Sequence, residues 1–405
     1  MVSVQSFRGF WLGMLFWGMV LWVFSFFVSA SVGAQDKIFY YAVALPVLLV
    51  MVSGGGGRLP FVLCGVLLLL FFLAVPVLWS GDAEYFNLVG RYLRYFFLTS
   101  CVFLAPFLLR VSLERLSELM IWAIIGGAII AAILQWLHFV FVLDFRLTSH
   151  GVGGVGGIGV NPNVTGAAMG VAFLAALSVS STMKNGWCRA LLLCACLLFL
   201  SSMGLALART AFVAVVAVLV LGKFPLRAFW LYYLLASVGA VFLAVMFWVA
   251  VGQEVALRHA DTLLTGRLSI WSQLLSDVSG HWWFGLGLQR DLEFYTPGLS
   301  RPYMTAHNIY FQAFRNGGFF ALSALVALVL LILRNIDVSK ASTLWRNILF
   351  FGLVYALVDA YYYPVSDPNS NWLFLWLPAG YLLVAGMKSK ESQAVIGARG
   401  NSGSI

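Results

Sequence analysis

Long apolar runs follow one another along almost the whole chain, and the polar breaks between them are short. Crossing a bilayer takes roughly 20 apolar residues in a helix. Only 10% of the 405 residues are charged and 62% are hydrophobic, whereas a soluble domain carries roughly 25% charged residues. A chain so poor in charge cannot cover a water-facing surface, so lipid must be its solvent. In lipid the backbone has to satisfy its own hydrogen bonds. Runs of this length do so as helices. The expected fold is an all-α polytopic membrane protein, a single transmembrane domain over residues 1–405.

Apolar runs and their polar breaks give about twelve spans, near 9–32, 38–53, 59–79, 87–109, 116–143, 164–180, 188–203, 208–222, 229–251, 307–333, 347–363 and 371–387. The seventh and eighth are separated only by Gly204 to Leu207 and can equally be one kinked segment. The first run follows Arg8. It is longer than a signal-peptide core of roughly 7–15 residues and reads as a retained first helix. Gly54 to Gly57 is a turn, and the polar stretch 388–405 reads as a disordered tail.

Cys64, Cys101, Cys188, Cys194 and Cys196 all fall in or at the ends of apolar runs, which implies no disulfide framework. Cys194 and Cys196 point to different sides of a helix, which disfavours a metal site. The net charge of +9 does not imply nucleic acid, because the basic residues are spread over short loops, as membrane topology requires.

An even number of spans puts both termini on one side. That side carries 14 of the 24 basic residues and five of the six lysines, so the positive-inside rule makes it cytoplasmic. The other ten basic residues are Lys37, Arg91, Arg94, Arg146, Arg209, Arg258, Arg267, Arg290, Arg301 and Arg315. Nine are arginine, and they stand against the topology rule. Arginine holds phosphate through a planar fork of donors that lysine lacks. The bland alternative is loop solvation and contact with lipid headgroups.

Two loops on this side are long, 144–163 and 252–306, the second lying between spans 9 and 10. Within the second, Leu268, Ile270, Trp271, Leu274, Leu275 and Val278 form a stripe at helical spacing, followed by Trp282, Trp283 and Phe284. The pattern predicts a helix in the membrane interface with aromatics at headgroup depth.

Four constellations can carry chemistry. GVGGVGGIGVNPN over 151–163 ends in a turn at Asn161 and Asn163 that opens a helix, and helix N-termini attract anions. Arg209 lies at a span end among apolar residues, and an arginine at membrane depth costs roughly 2.5–3.5 kcal/mol on insertion scales. Arg267 opens the loop helix. His307, followed by Asn308, opens the tenth span, and helical spacing predicts one face carrying His307, Phe311 and Arg315. Asp359, inside the eleventh span, can orient His307 or an arginine. Against each stands a plain reading: a capped helix, a snorkelling arginine, a solvated helix end, a capping histidine. Asp82 and Glu84 have a D-x-E spacing that some metal-dependent glycosyltransferases use, but one such match is unspecific.

In this order the motifs resemble the O-antigen ligase and polymerase superfamily: the glycine-rich loop ending Asn-Pro-Asn, the Arg209 span end, Gly266-Arg267 with Trp271, and His307-Asn308-Ile309-Tyr310. The resemblance covers roughly Arg146 to Asp359, and within the superfamily it is strongest to the ligases. It implies a GT-C-like fold and an inverting, metal-independent transfer without a cofactor. The donor would be undecaprenyl-diphosphate-linked O-antigen and the acceptor lipid A–core, both presented in membrane lipid at the periplasmic face of the bacterial inner membrane. It makes His307 catalytic and places the diphosphate on Arg209 and Arg267. Arg146 matches the arginine that often precedes the Asn-Pro-Asn loop. Arg315 has no counterpart and rests on the helical-face argument. Asn161, Asn163, Asn308 and Asp359 are supporting candidates. A polymerase of the same superfamily differs only in its acceptor. A lipid-glycan transporter is the non-enzymatic alternative, but such proteins usually show internal repeats and midplane charge pairs.

Overall fold

A computed structural model describes residues 4–29, 31–55, 57–80, 85–145, 151–154, 161–221, 267, 270–288, 305–336, 339, 342–360 and 362–401. The described helices are α1 (Val4–Val28), α2 (Val32–Val52), α3 (Phe61–Trp79), α4 (Tyr85–Leu108), α5 (Leu113–Phe141), α6 (Pro162–Thr182), α7 (Gly186–Leu205), α8 (Arg209–Leu221), α9 (Ile309–Asn335), α10 (Thr343–Asp359) and α11 (Leu377–Asn401). No strand occurs among the described residues. Among the described residues, eight helices are long and apolar enough to cross a membrane, and α8 is a shorter apolar helix. The chain is a multi-pass membrane protein. The expected ninth span, 229–251, lies outside the described residues.

Sequence sets the helix starts. Ser31 Oγ accepts from the Ala34 N–H before α2, Asn185 Oδ1 from the first N–H groups of α7, and Asn308 Oδ1 from those of α9. Such caps satisfy donors that have no partner inside a helix. Pro162 occupies the first turn of α6, where its missing N–H costs nothing.

Helix α6 is the centre of the bundle, packed by α5, α7, α8 and α10. Its run of Gly166, Ala167, Ala168, Gly170, Ala172, Ala175 and Ala176 is buried almost throughout. Small residues let backbones approach closely, the usual basis of packing between membrane helices. A second cluster joins α1, α2 and the turn before α11 through the rings of Trp22, Phe39 and Trp372, with centroids 4.8–6.1 Å apart.

One expectation holds and two need correction. The seventh and eighth runs are separate helices, as their reading as two spans has it. Leu207 takes a positive φ of 52°, which ends α7 and starts α8 at Arg209. The stretch from Lys388 is helical through Asn401 rather than disordered. Lys388 pairs with Glu114 at 3.2 Å and Lys390 donates to Asn335 at 2.9 Å, which ties it to the bundle. The tenth run is a helix interrupted at Gly318 (φ 59°, ψ −154°). Residues 282–287 fill the break: Leu286 and Gly287 donate to the carbonyls of Arg315 and Asn316, while Phe319 and Phe320 donate to Trp282 and Trp283. Non-helical backbone at membrane depth survives only where protein satisfies it in this way. A Cβ on Gly318 would collide with the backbone of Trp282, Trp283 and Phe284.

All five cysteines are free. Cys194 is exposed and Cys196 buried, on different sides of α7.

Candidate functional site

The beginnings of α6, α8 and α9 and the end of α10 converge at one end of the bundle. Tyr355 of α10 donates to the Asn163 carbonyl at 3.2 Å. Asn308 Nδ2 donates to the Leu357 carbonyl at 2.7 Å, so the cap of α9 is also fastened to the last turn of α10. Gly151 (φ 81°) lets the preceding loop lie against the α7–α8 break, where a Cβ would sit 2.6 Å from the Ala206 carbonyl oxygen. Val152 donates to the Leu205 carbonyl at 2.8 Å, and buried Gln135 of α5 donates to the Val152 carbonyl at 2.8 Å. These bonds fix the turn that presents Arg209.

At the centre is Asp359, 1% exposed. Its Oδ1 lies 3.1 Å from His307 Nδ1 and 3.4 Å from an Arg267 Nη2. Arg209 stands close enough to Arg267 for the two positive charges to act on one another. Two arginines and one carboxylate leave the cluster net positive when His307 is neutral. With Nδ1–H donating to Asp359, the lone pair of the imidazole sits on Nε2. Asp359 Oδ2 is buried and accepts no hydrogen bond from the described residues.

The sequence placed His307 on the helical face of Phe311 and Arg315. The structure puts it before the helix, with a left-handed φ of 52°, while Asn308 takes the capping position. A non-glycine residue there costs of order 1–3 kcal/mol and persists only where neighbours hold it. The Asn308 cap, the Asp359 contact and the bond from the Ala306 N–H to Gln312 Oε1, 3.0 Å, do so. Arg315 does lie within α9. It is 4% exposed, with Nη1 3.5 Å from Asn316 Oδ1. The shared helical face therefore no longer links it to His307.

The loop helix explains the Gly-Arg-x-x-x-Trp spacing. Trp271 lies one turn after Arg267, donates its indole N–H to the Ala306 carbonyl at 2.9 Å, and stacks on Phe311 with centroids 5.1 Å apart. It anchors the helix beside His307 and delivers Arg267 to Asp359. The apolar stripe is divided. Ile270, Leu274 and Val278 are buried, Leu275 is exposed, and Leu268 lies outside the described residues. Leu274 and Val278 pack on Ala306 and Phe314, so this part of the loop docks on α9 rather than lying wholly in the membrane interface. Trp282, Trp283 and Phe284 keep exposed faces.

Arg94 has a structural partner. It pairs with Asp367 at 3.0 Å, and Asp367 also accepts from Tyr40 at 2.8 Å. Arg146, Arg258, Arg290, Arg301, Asp82, Glu84 and the 252–266 and 289–304 parts of the long loop lie outside the described residues. Among the described residues no three His, Cys, Asp or Glu side chains gather as metal ligands.

Fold and site define a class: a polytopic helical membrane protein with an arginine-rich, histidine-bearing polar centre at one end of its bundle. The family model described as O-antigen ligase matches residues 187–326, and the match supports assigning the chain to that family. It spans Arg209, Arg267, His307 and Arg315 and stops short of Asp359, which the fold supplies. No curated protein matches the chain.

Proposed function

We propose that the chain is a glycosyltransferase of the ligase type. It moves O-antigen glycan from undecaprenyl diphosphate to lipid A–core at the periplasmic face of the inner membrane, with both termini cytoplasmic. The observation that carries this reading is the meeting of Arg267 and His307 on the single buried carboxylate Asp359, with Arg209 alongside.

The chemistry follows from those groups. An acceptor hydroxyl attacks the anomeric carbon and gives its proton to His307 Nε2, and Asp359 holds the imidazole and stabilises the imidazolium that forms. The new C–O bond forms as the bond to the diphosphate breaks, and the electron pair leaves with the phosphate oxygen. Arg209 and Arg267 stabilise that growing charge. One preorganised donor of this kind is typically worth about 10²–10³ in rate. Attack on the face opposite the leaving group inverts the anomeric centre.

A cell lacking the protein tests the reading. Core-only lipopolysaccharide with polymer accumulated on the lipid carrier is the expected result. A core bearing a single repeat unit means polymerase instead. Unlinked glycan retained on the cytoplasmic side means transport.

A further inference from the structure

At the end of the bundle opposite Asp359, α1, the turn after α2, and the α4–α5 connection enclose a cavity of about 490 Å³. Three of its lining residues are Arg8, Arg110 and Arg115, and none is acidic. Arg8 is held in place by donating to the Gly55 carbonyl at 2.9 Å, and Arg110 lies over the Phe107 ring at 5.1 Å. Among the described residues no carboxylate pairs with any of the three. Glu114, the nearest acid in sequence, is taken by Lys388. Ser112 turns its hydroxyl to the Leu109 carbonyl and does not cap α5.

Beside this basic cavity lies an apolar groove of about 870 Å³ between α1, α2 and α5, and Gly13 and Trp17 line both. Gly9 and Gly13, where a Cβ would meet nothing within 4 Å, leave part of α1 bare, and Phe10, Trp17 and Leu21 wall the groove, while Gly18 lets α1 close on Ala42 at its edge. It runs from Gly9 to Phe24, about 22 Å at 1.5 Å per residue. One leaflet of hydrocarbon is about half of the ~30 Å core.

We propose that this composite site holds one anionic phospholipid. The phosphodiester sits among Arg8, Arg110 and Arg115 and an acyl chain lies along the α1–α5 groove. Charge complementarity selects an anionic headgroup, as basic pockets between membrane helices do. The groove selects a lipid over a free anion. The site stands independently of the transfer chemistry.

Native mass spectrometry of the full-length protein in detergent tests it, with dioleoylphosphatidylglycerol and dioleoylphosphatidylcholine as probes and inorganic phosphate as competitor. Retention of phosphatidylglycerol at least about tenfold over phosphatidylcholine is expected, unaffected by phosphate at equal concentration. The triple variant Arg8→Gln, Arg110→Gln, Arg115→Gln should lose the preference, and Arg115→Gln alone should weaken it if the triple variant does not fold. A Cβ on Gly13 meets nothing within 4 Å, so Gly13→Phe should fold normally and obstruct the junction of groove and cavity. It should cut retention severalfold. Equal retention of the two lipids, displacement by phosphate, or wild-type retention by the Gln variants or Gly13→Phe would each overturn the proposal.

Discussion

His307 Nδ1 and Asp359 Oδ1 lie 3.1 Å apart and join the start of one helix to the end of the next. Three contacts at that end of the bundle bear on these two residues. Asn308 fastens the turn before α9 to α10, Trp271 fastens the loop helix to the same turn, and Arg267 completes the ionic contact with Asp359.

The arginines give the first prediction. Arg209→Lys and Arg267→Lys keep a charge and lose the planar fork. Each should lower glycan transfer about 10–100-fold, with thermal unfolding in detergent little changed. Measured core extension in complemented cells decides. Full activity of both variants would remove bidentate phosphate binding from the mechanism.

Trp271 is a positioning residue. Trp271→Phe keeps the stack on Phe311 and loses only the bond to Ala306, so transfer should fall severalfold. Trp271→Ala frees the loop helix and misplaces Arg267, and a displacement of about 1 Å at a site can cost about 100-fold. A purely structural tryptophan would lower melting temperature in step with activity. Here Trp271→Ala should lose far more in activity than in stability.

Gly318 tests the broken helix. Its φ and ψ belong to a region open almost only to glycine, and a side chain would press into the backbone of 282–284. Gly318→Ala should destabilise the protein by about 2 kcal/mol or more. Gly126→Ala on α5, where a Cβ meets nothing within 4 Å, should be neutral. Thermal unfolding in detergent compares the two. A continuous α9 would make Gly318→Ala neutral or stabilising.

The sequence made the spans legible because hydropathy is set by lipid alone. The turn at Asn161 that opens α6 was legible as well, since its cap is a local bond. Motif order brought Arg209, Arg267 and His307 forward as candidates. The helical-face argument for His307 failed because it assumed that α9 begins at the histidine. Asn308 is the better cap, and His307 is left outside in a strained turn. The break at Gly318 was hidden because its hydrogen bonds come from 282–287, some 30 residues away. The Gly317-Gly318 pair was the available signal. Asp359 was read as a carboxylate inside a span able to orient His307 or an arginine, and its meeting both His307 and Arg267 depends on packing between helices far apart in sequence. Arg94 and Asp367 show the converse, since a charge on the unexpected side can simply belong to an ion pair.

The reaction itself is tested most directly by reconstitution. Purified protein in proteoliposomes is given undecaprenyl-diphosphate-linked O-antigen and lipid A–core, and transfer is measured for wild type, His307→Ala and Asp359→Asn. Both variants should lose about 10²–10⁴ in rate while donor binding persists, and the double variant should be no slower than His307→Ala alone. Transfer by His307→Ala at the wild-type rate would contradict a base at this position and with it the catalytic role of the His307–Asp359 pair.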